Sequence, residues 1–124
     1  MALVRTPGQS PMLPGAVRFG DLIFTSGLVA SSVFAGMASG AKVPFEEQAA
    51  GALSALLAAV EEAGGTKETV VKLEVFLASA EHFDAWNTEF LKAWPHPGPA
   101  RTTVIVGFAA PSILIELQAV ATAA

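Results

Sequence analysis

The sequence contains no cysteine, which excludes a disulfide framework, a thiolate-held iron–sulfur cluster and thiol catalysis together. Charge is also scarce: 15% of the 124 residues are Asp, Glu, Lys or Arg, against about 25% in an average globular domain. Seven residues are basic and eleven acidic, for a net charge of −4, so no basic face is available to neutralise phosphates and nucleic acid is disfavoured as a partner. The two histidines, His82 and His96, fall on a predicted helix and in a proline-rich loop without H-x-x-x-H spacing, so no metal site is expected. A Gly-rich Lys-Ser/Thr phosphate loop is missing. Gly36-Met37-Ala38-Ser39-Gly40 has its serine one place too late for a G-x-S-x-G nucleophile elbow. Met1 to Val4 is followed by Arg5, Pro7 and Gly8, with no apolar segment behind a basic start, and the expected location is the cytoplasm.

Apolar residues are abundant at 52%, which excludes disorder and suits one core in one domain spanning residues 1–124. Leu22 to Ala41 is uncharged throughout, with a Gly36-x-x-x-Gly40 spacing, but eight of its 20 residues are Thr, Ser or Gly. That content is too polar for a membrane span.

Ala16–Phe19 and Leu22–Ser26 flank Gly20-Asp21 and predict a hairpin whose glycine takes positive φ. Val29 to Val43 carries two glycines and no periodicity, and reads as mostly loop with at most a short edge strand. Ala49, Ala52, Leu53, Leu56, Leu57 and Val60 recur at three- and four-residue steps, predicting a helix from Phe45 to Ala63 that Gly64-Gly65 stops. Val71, Leu73, Val75 and Leu77 alternate as a strand. A second helix is expected from an N-cap at Ser79 to Trp94, with Phe83, Trp86, Phe90 and Ala93 on one core stripe and His82 exposed near its start. Two final strands, 102–108 and 113–121, are apolar on both faces, which implies burial from two sides. The whole predicts a sheet with two helices on one face and nothing in the chain to cover the other, so that face is expected to pack on further copies.

Two charges stand out against this apolar background. Arg101 opens a strand whose next seven residues are uncharged, where a guanidinium requires an anion. Glu116 interrupts the run Ile113-Leu114-Ile115 and Leu117, where a carboxyl is either paired or raised in pKa. A salt bridge between them closing a hairpin and a ligand site using both are equally compatible with the pattern.

Several segments together resemble the YjgF/Rid family of reactive intermediate deaminases. They are Gly20-Asp21-Leu22-Ile23-Phe24-Thr25-Ser26-Gly27, Gln48, Glu62-Ala63-Gly64, Val71-Lys72 with Val75-Phe76-Leu77, Asn87, and Pro99-Ala100-Arg101-Thr102-Thr103-Val104 leading to Glu116. The resemblance implies an α+β chorismate-mutase-like domain with a mixed sheet and two helices on one face, assembling as a homotrimer around a central barrel. It also implies hydrolysis of 2-enamines and 2-imines from pyridoxal-phosphate enzymes to a 2-keto acid and ammonia, in clefts between subunits, with no cofactor in the protein itself. By the same resemblance Arg101 would anchor the substrate carboxylate, Glu116 would position or activate water, and Ser26, Gly27, Asn87 and Thr103 would line the pocket. Leu13 occupies the place of a tyrosine common in the family, and the chain has no tyrosine at all, so a polar pocket wall has become apolar. Leu28 and Ala55 replace a usual glutamine and asparagine, and 31–43 departs from the family pattern. Two other functions fit the same residues: a non-catalytic trimer binding small carboxylates or metabolites, and an RNA-directed role of the translation-inhibitor or endoribonuclease kind described for some relatives.

Overall fold

Alternating apolar residues near both ends of the chain assemble into one mixed sheet in the computed structural model, which describes residues 2–40 and 42–124. Strands β1 (Leu3–Ser10), β2 (Leu13–Phe19) and β3 (Leu22–Thr25) form an antiparallel meander. Phe19 pairs with Leu22 across the expected two-residue turn, and Gly20 has φ 61°, a conformation that costs any residue with a Cβ about 1–2 kcal/mol. Strands β4 (Val70–Leu77), β5 (Ala100–Ile105) and β6 (Ile115–Thr122) complete the order β1-β2-β3-β6-β4-β5. Only the β4–β5 pair is parallel.

Helix α1 spans Ser31–Gly36, α2 Phe45–Glu62 and α3 Phe83–Ala93. In α2, Glu46 and Glu47 occupy the first turn, favourable at the positive helix end, and Gly64 follows at φ 104°. Ser79 accepts a hydrogen bond from the Glu81 amide and opens a 3₁₀ turn leading into α3. Leu53, Leu56 and Val60 of α2 and Trp86 of α3 bury against Leu73, Val75, Leu77, Ile115 and Leu117. Each such aliphatic side chain contributes about 1.5–3 kcal/mol by leaving water. As expected, α2 and α3 share one sheet face. Among the described residues no helix is long and apolar enough to cross a membrane.

Four expectations need correction. The strand β1 had no counterpart in the sequence reading: it is an edge strand broken by two register shifts around Pro7, as suits a residue without an amide donor. The segment expected as loop holds α1 and a 3₁₀ turn at Met37–Ser39, too short to show a helical period; Ala41 within it lies outside the described residues. The last two strands are not a hairpin: β5 pairs with β4, across the α3 crossover that a parallel pair requires, and β6 lies between β3 and β4. Finally, β6 alternates buried and half-buried residues, whereas β5 is an edge whose residues are half-buried or exposed.

Gln48 is the one polar side chain in the core of the described residues, 1% exposed. Its amide donates to the carbonyls of Val43 and Ser112 at 2.9 and 3.0 Å and accepts from the Leu114 amide at 3.0 Å. The start of α2 is thereby bound to the segment that leads into β6 and carries Glu116. Gln48→Leu strands three buried backbone groups and is expected to lower unfolding free energy by about 3 kcal/mol, read from urea denaturation.

Candidate functional site

The strand register determines where each charged residue can act. Arg101 pairs with Leu73 and Leu73 with Ala119, while Glu116 pairs with Phe76 and Phe76 with Val104. Paired residues project from the same side of a sheet and successive residues alternate, so Arg101, level with the core residue Leu73, faces the helices. Glu116 faces the opposite, helix-free side. The salt bridge considered above is therefore absent, and the two functional candidates occupy opposite faces of one chain.

Arg101 meets aromatic rings instead of a carboxylate. Its guanidinium carbon lies 4.6 Å from the Phe90 ring centroid and 6.0 Å from that of Phe83, cation–π geometry worth about 0.5–2 kcal/mol. Among the described residues no ion pair or hydrogen bond reaches it, so its donors face outward from the rings. Phe83 and Phe90 thus serve Arg101 as well as packing; of the expected core stripe, Trp86 is fully buried and Phe83 is exposed. Asn87 lies between those two phenylalanines on the same face of α3 by its i, i+4 and i, i+3 spacing. Asn87 Oδ1 and Thr103 Oγ1 are both buried with no hydrogen-bond partner, and Thr103 projects from β5 on the same side as Arg101. Native proteins seldom leave such atoms unpaired; beside an unpaired cation the Thr103 hydroxyl can donate to an acceptor-rich group, whereas Asn87 Oδ1, an acceptor, calls for a donor. His82, expected to be exposed, stacks on Phe45 with ring centroids 4.2 Å apart.

The second group gathers round Glu116. Leu13, Ser26, Gly27 and Glu116 line one cavity with Gln9, Phe34, Met37 and Ile113. A Cβ added at Gly27 would meet the end of the Glu116 side chain, so a side chain there would displace the carboxylate from its present position. The Ser26 hydroxyl donates to the Pro14 carbonyl at 2.7 Å, which holds its oxygen in place with capacity to accept another bond. Among the described residues no hydrogen bond or ion pair reaches the Glu116 carboxyl, and burial raises its pKa above the usual 4.5. Of the residues singled out from the sequence, Leu13, Ser26, Gly27 and Glu116 come together in one place and Arg101, Thr103 and Asn87 in another. Gln9, Phe34 and Met37 were missed. The i, i+3 spacing of Phe34 and Met37 within an uncharged stretch was their signal, but a single turn is too short for a period to register.

A six-stranded mixed sheet backed by helices, carrying the Glu116 cavity on one side and the Arg101 guanidinium on the other, defines a small α+β protein whose candidate residues fall into two separate groups. The chain belongs to the endoribonuclease L-PSP family, also called the YjgF family: the family's sequence model matches residues 8–123. It is 36% identical over 94 residues to the mitochondrial protein mmf2 of Schizosaccharomyces pombe, covering 74% of this chain and 70% of that one. It is 28% identical over 106 residues to a 2-iminobutanoate/2-iminopropanoate deaminase of Dermatophagoides farinae, covering 85% and 80%. The crystal structure of a YjgF family member from Neisseria meningitidis superposes with a TM-score of 0.83 over 100% of this chain and 97% of the other, at 24% identity, which shows the shared fold.

The orphaned Thr103 hydroxyl gives a direct test of this arrangement. Thr103→Val removes a buried oxygen without a partner, so urea denaturation should show stability unchanged or raised by about 1 kcal/mol; a paired structural hydroxyl would instead lose stability.

Proposed function

We propose that the protein hydrolyses 2-imino acids, and the 2-enamines that tautomerise to them, to 2-keto acids and ammonia, in clefts formed between copies of the chain. The observation that carries this reading is the placement of Arg101 and Glu116 on opposite sheet faces, each without a partner among the described residues. One chain cannot present both to one small molecule, whereas two adjacent chains can. The helix-free face supports association: Phe19, Leu22, Phe24 and Val104 project from it and are all exposed, an apolar patch of the kind that marks an interface. A homotrimer with these sheets inward, as a chorismate-mutase-like barrel, covers them. The deaminase from Dermatophagoides farinae, similar along most of its length, supports the substrate class, and the deficit of basic residues argues against RNA.

In this mechanism Arg101 of one copy binds the substrate carboxylate through two parallel N–H bonds, with the Thr103 hydroxyl donating a further bond and Asn87 beside it. Glu116 of the adjacent copy, beside Ser26 and Gly27, accepts a proton from water as its oxygen adds to C2 of the protonated imine. The C=N π electrons pass to nitrogen. The proton held on Glu116 then moves to that nitrogen, the C–N bond breaks, and ammonia leaves as the new hydroxyl loses its proton and becomes the carbonyl. Imine and water are consumed in equal number, and no redox partner or cofactor enters the balance.

Arg101→Ala and Glu116→Gln should each slow ammonia release from dehydratase-generated 2-iminobutanoate by about 100-fold or more. Co-refolding the two variants in equal amounts should restore about a quarter of wild-type activity, because a random trimer then contains sites with both native residues. Restoration to no more than the separate variants' level would sink the shared-cleft reading, as would a solution mass of one chain.

The raised pKa of Glu116 gives the pH dependence its sign. Water activation needs the carboxylate, so activity is full above the raised pKa and falls below it by about one decade per pH unit. The midpoint of the kcat profile, which reports the substrate-bound state, should lie above 4.5 and vanish from the profile of Glu116→Gln.

A further inference from the structure

The Glu116 cavity is asymmetric in polarity. Its volume is about 140 Å³, close to the roughly 150 Å³ of an apolar cavity able to take a benzene molecule. Ser26 and Glu116 supply its free polar groups. The Gln9 amide, which could have made a further polar wall, is consumed by the Val29 backbone: Nε2 donates to the carbonyl at 2.7 Å and Oε1 accepts from the amide at 3.4 Å. Leu13, Phe34, Met37 and Ile113 make the remaining walls apolar. Those walls are built in advance of any ligand. Val29, Ala30, Val33 and Ile113 form a second small core beneath α1, with Met37 packed against it, and Val33 is only 1% exposed. Anchored by Val33, α1 carries Phe34 to the cavity, and the 3₁₀ turn that follows it carries Met37.

A substrate whose C2 lies beside Glu116 must place its side chain somewhere. A methyl or ethyl group would leave most of this space empty, whereas an isobutyl, methylthioethyl or benzyl group fills it. We propose that the cavity selects 2-imino acids with apolar side chains of four heavy atoms up to the size of a phenyl ring, with Leu13, Phe34 and Met37 as the specificity-determining residues. This assignment rests on the imine-hydrolysis reading of the same site. Each methylene moved from water to an apolar wall is worth roughly fourfold in binding, so the three carbons that separate a leucine-derived from an alanine-derived imine should count for at least tenfold.

The test generates imines in place with a broad-specificity L-amino acid oxidase acting on alanine, leucine, methionine or phenylalanine, and follows their loss by semicarbazide trapping. The expected kcat/KM for the leucine imine exceeds that for the alanine imine by at least tenfold, and Phe34→Ala/Met37→Ala lowers that ratio at least fivefold. Equal rates for the two imines overturn the side-chain assignment and leave imine hydrolysis intact. Should no imine be hydrolysed faster than in buffer, the catalytic reading fails, and calorimetric binding to the wild-type protein decides the cavity separately. At least tenfold tighter binding of 4-methyl-2-oxopentanoate than of pyruvate upholds the apolar preference; equal affinity, or no binding of either, overturns it.

Discussion

An odd offset in strand register governs what this protein can do. Arg101 is level with Leu73 and Ala119, and Glu116 with Phe76 and Val104; the two levels are three positions apart along β5, so the side chains leave opposite faces whatever rotamers they adopt. A one-residue slip between β4 and β6 that joined them would also turn Leu73, Val75 and Leu77 out of the core, forfeiting about 1.5–3 kcal/mol for each. Core packing thus enforces the separation of the charges. Each then meets its desolvation locally: the guanidinium on the Phe90 ring, the carboxyl by a pKa displaced toward its neutral form.

Features carried by local chemistry were legible before any coordinates. Helix α2 follows from its apolar stripe and from Gly64, and the β2–β3 hairpin from a glycine that reaches positive φ without steric cost. The failures share a physical origin in interactions that are not local. Nothing near 102–105 or 115–122 in sequence says that β6 leaves β5 and inserts between β3 and β4; that choice is made by α3, which occupies the crossover and brings β5 parallel to β4. Both strands are apolar, so composition alone could not distinguish an edge from a centre. The strand β1 was obscured by Pro7 and Gly8, residues that argue against a central strand and are tolerated at this edge.

Legibility of the candidate site divides along the same line. Arg101 and Glu116 were conspicuous because a charge in an apolar run demands explanation, and Ser26, Gly27, Asn87 and Thr103 came through the resemblance to a family to which the chain belongs. Their separation into two groups could not be read without the register. The walls of the cavity were invisible for a different reason: Phe34 rides on a helix of six residues and Met37 on the 3₁₀ turn that follows it, both held by tertiary packing around Val33 rather than by their own periodicity. Leu13 stood out through the resemblance as an apolar residue, but only the structure shows that its neighbours across the cavity are apolar too.

The environment of Glu116 bears on how a divided site can work. A cation normally lowers a neighbouring carboxyl's pKa and burial raises it. In the proposed cleft the neighbouring copy's Arg101 is neutralised by the substrate carboxylate once the ligand is bound, so its field at Glu116 is largely cancelled and burial prevails. The carboxylate is then a stronger base with substrate present than with the cation bare, closer to the proton affinity that water activation requires. Ser26 and Gly27 leave this balance undisturbed, one having committed its proton to the Pro14 carbonyl and the other having no side chain. In the proposed cleft a divided site would therefore do more than collect residues from two chains, because the arrival of substrate would set the basicity of the carboxylate that activates the attacking water.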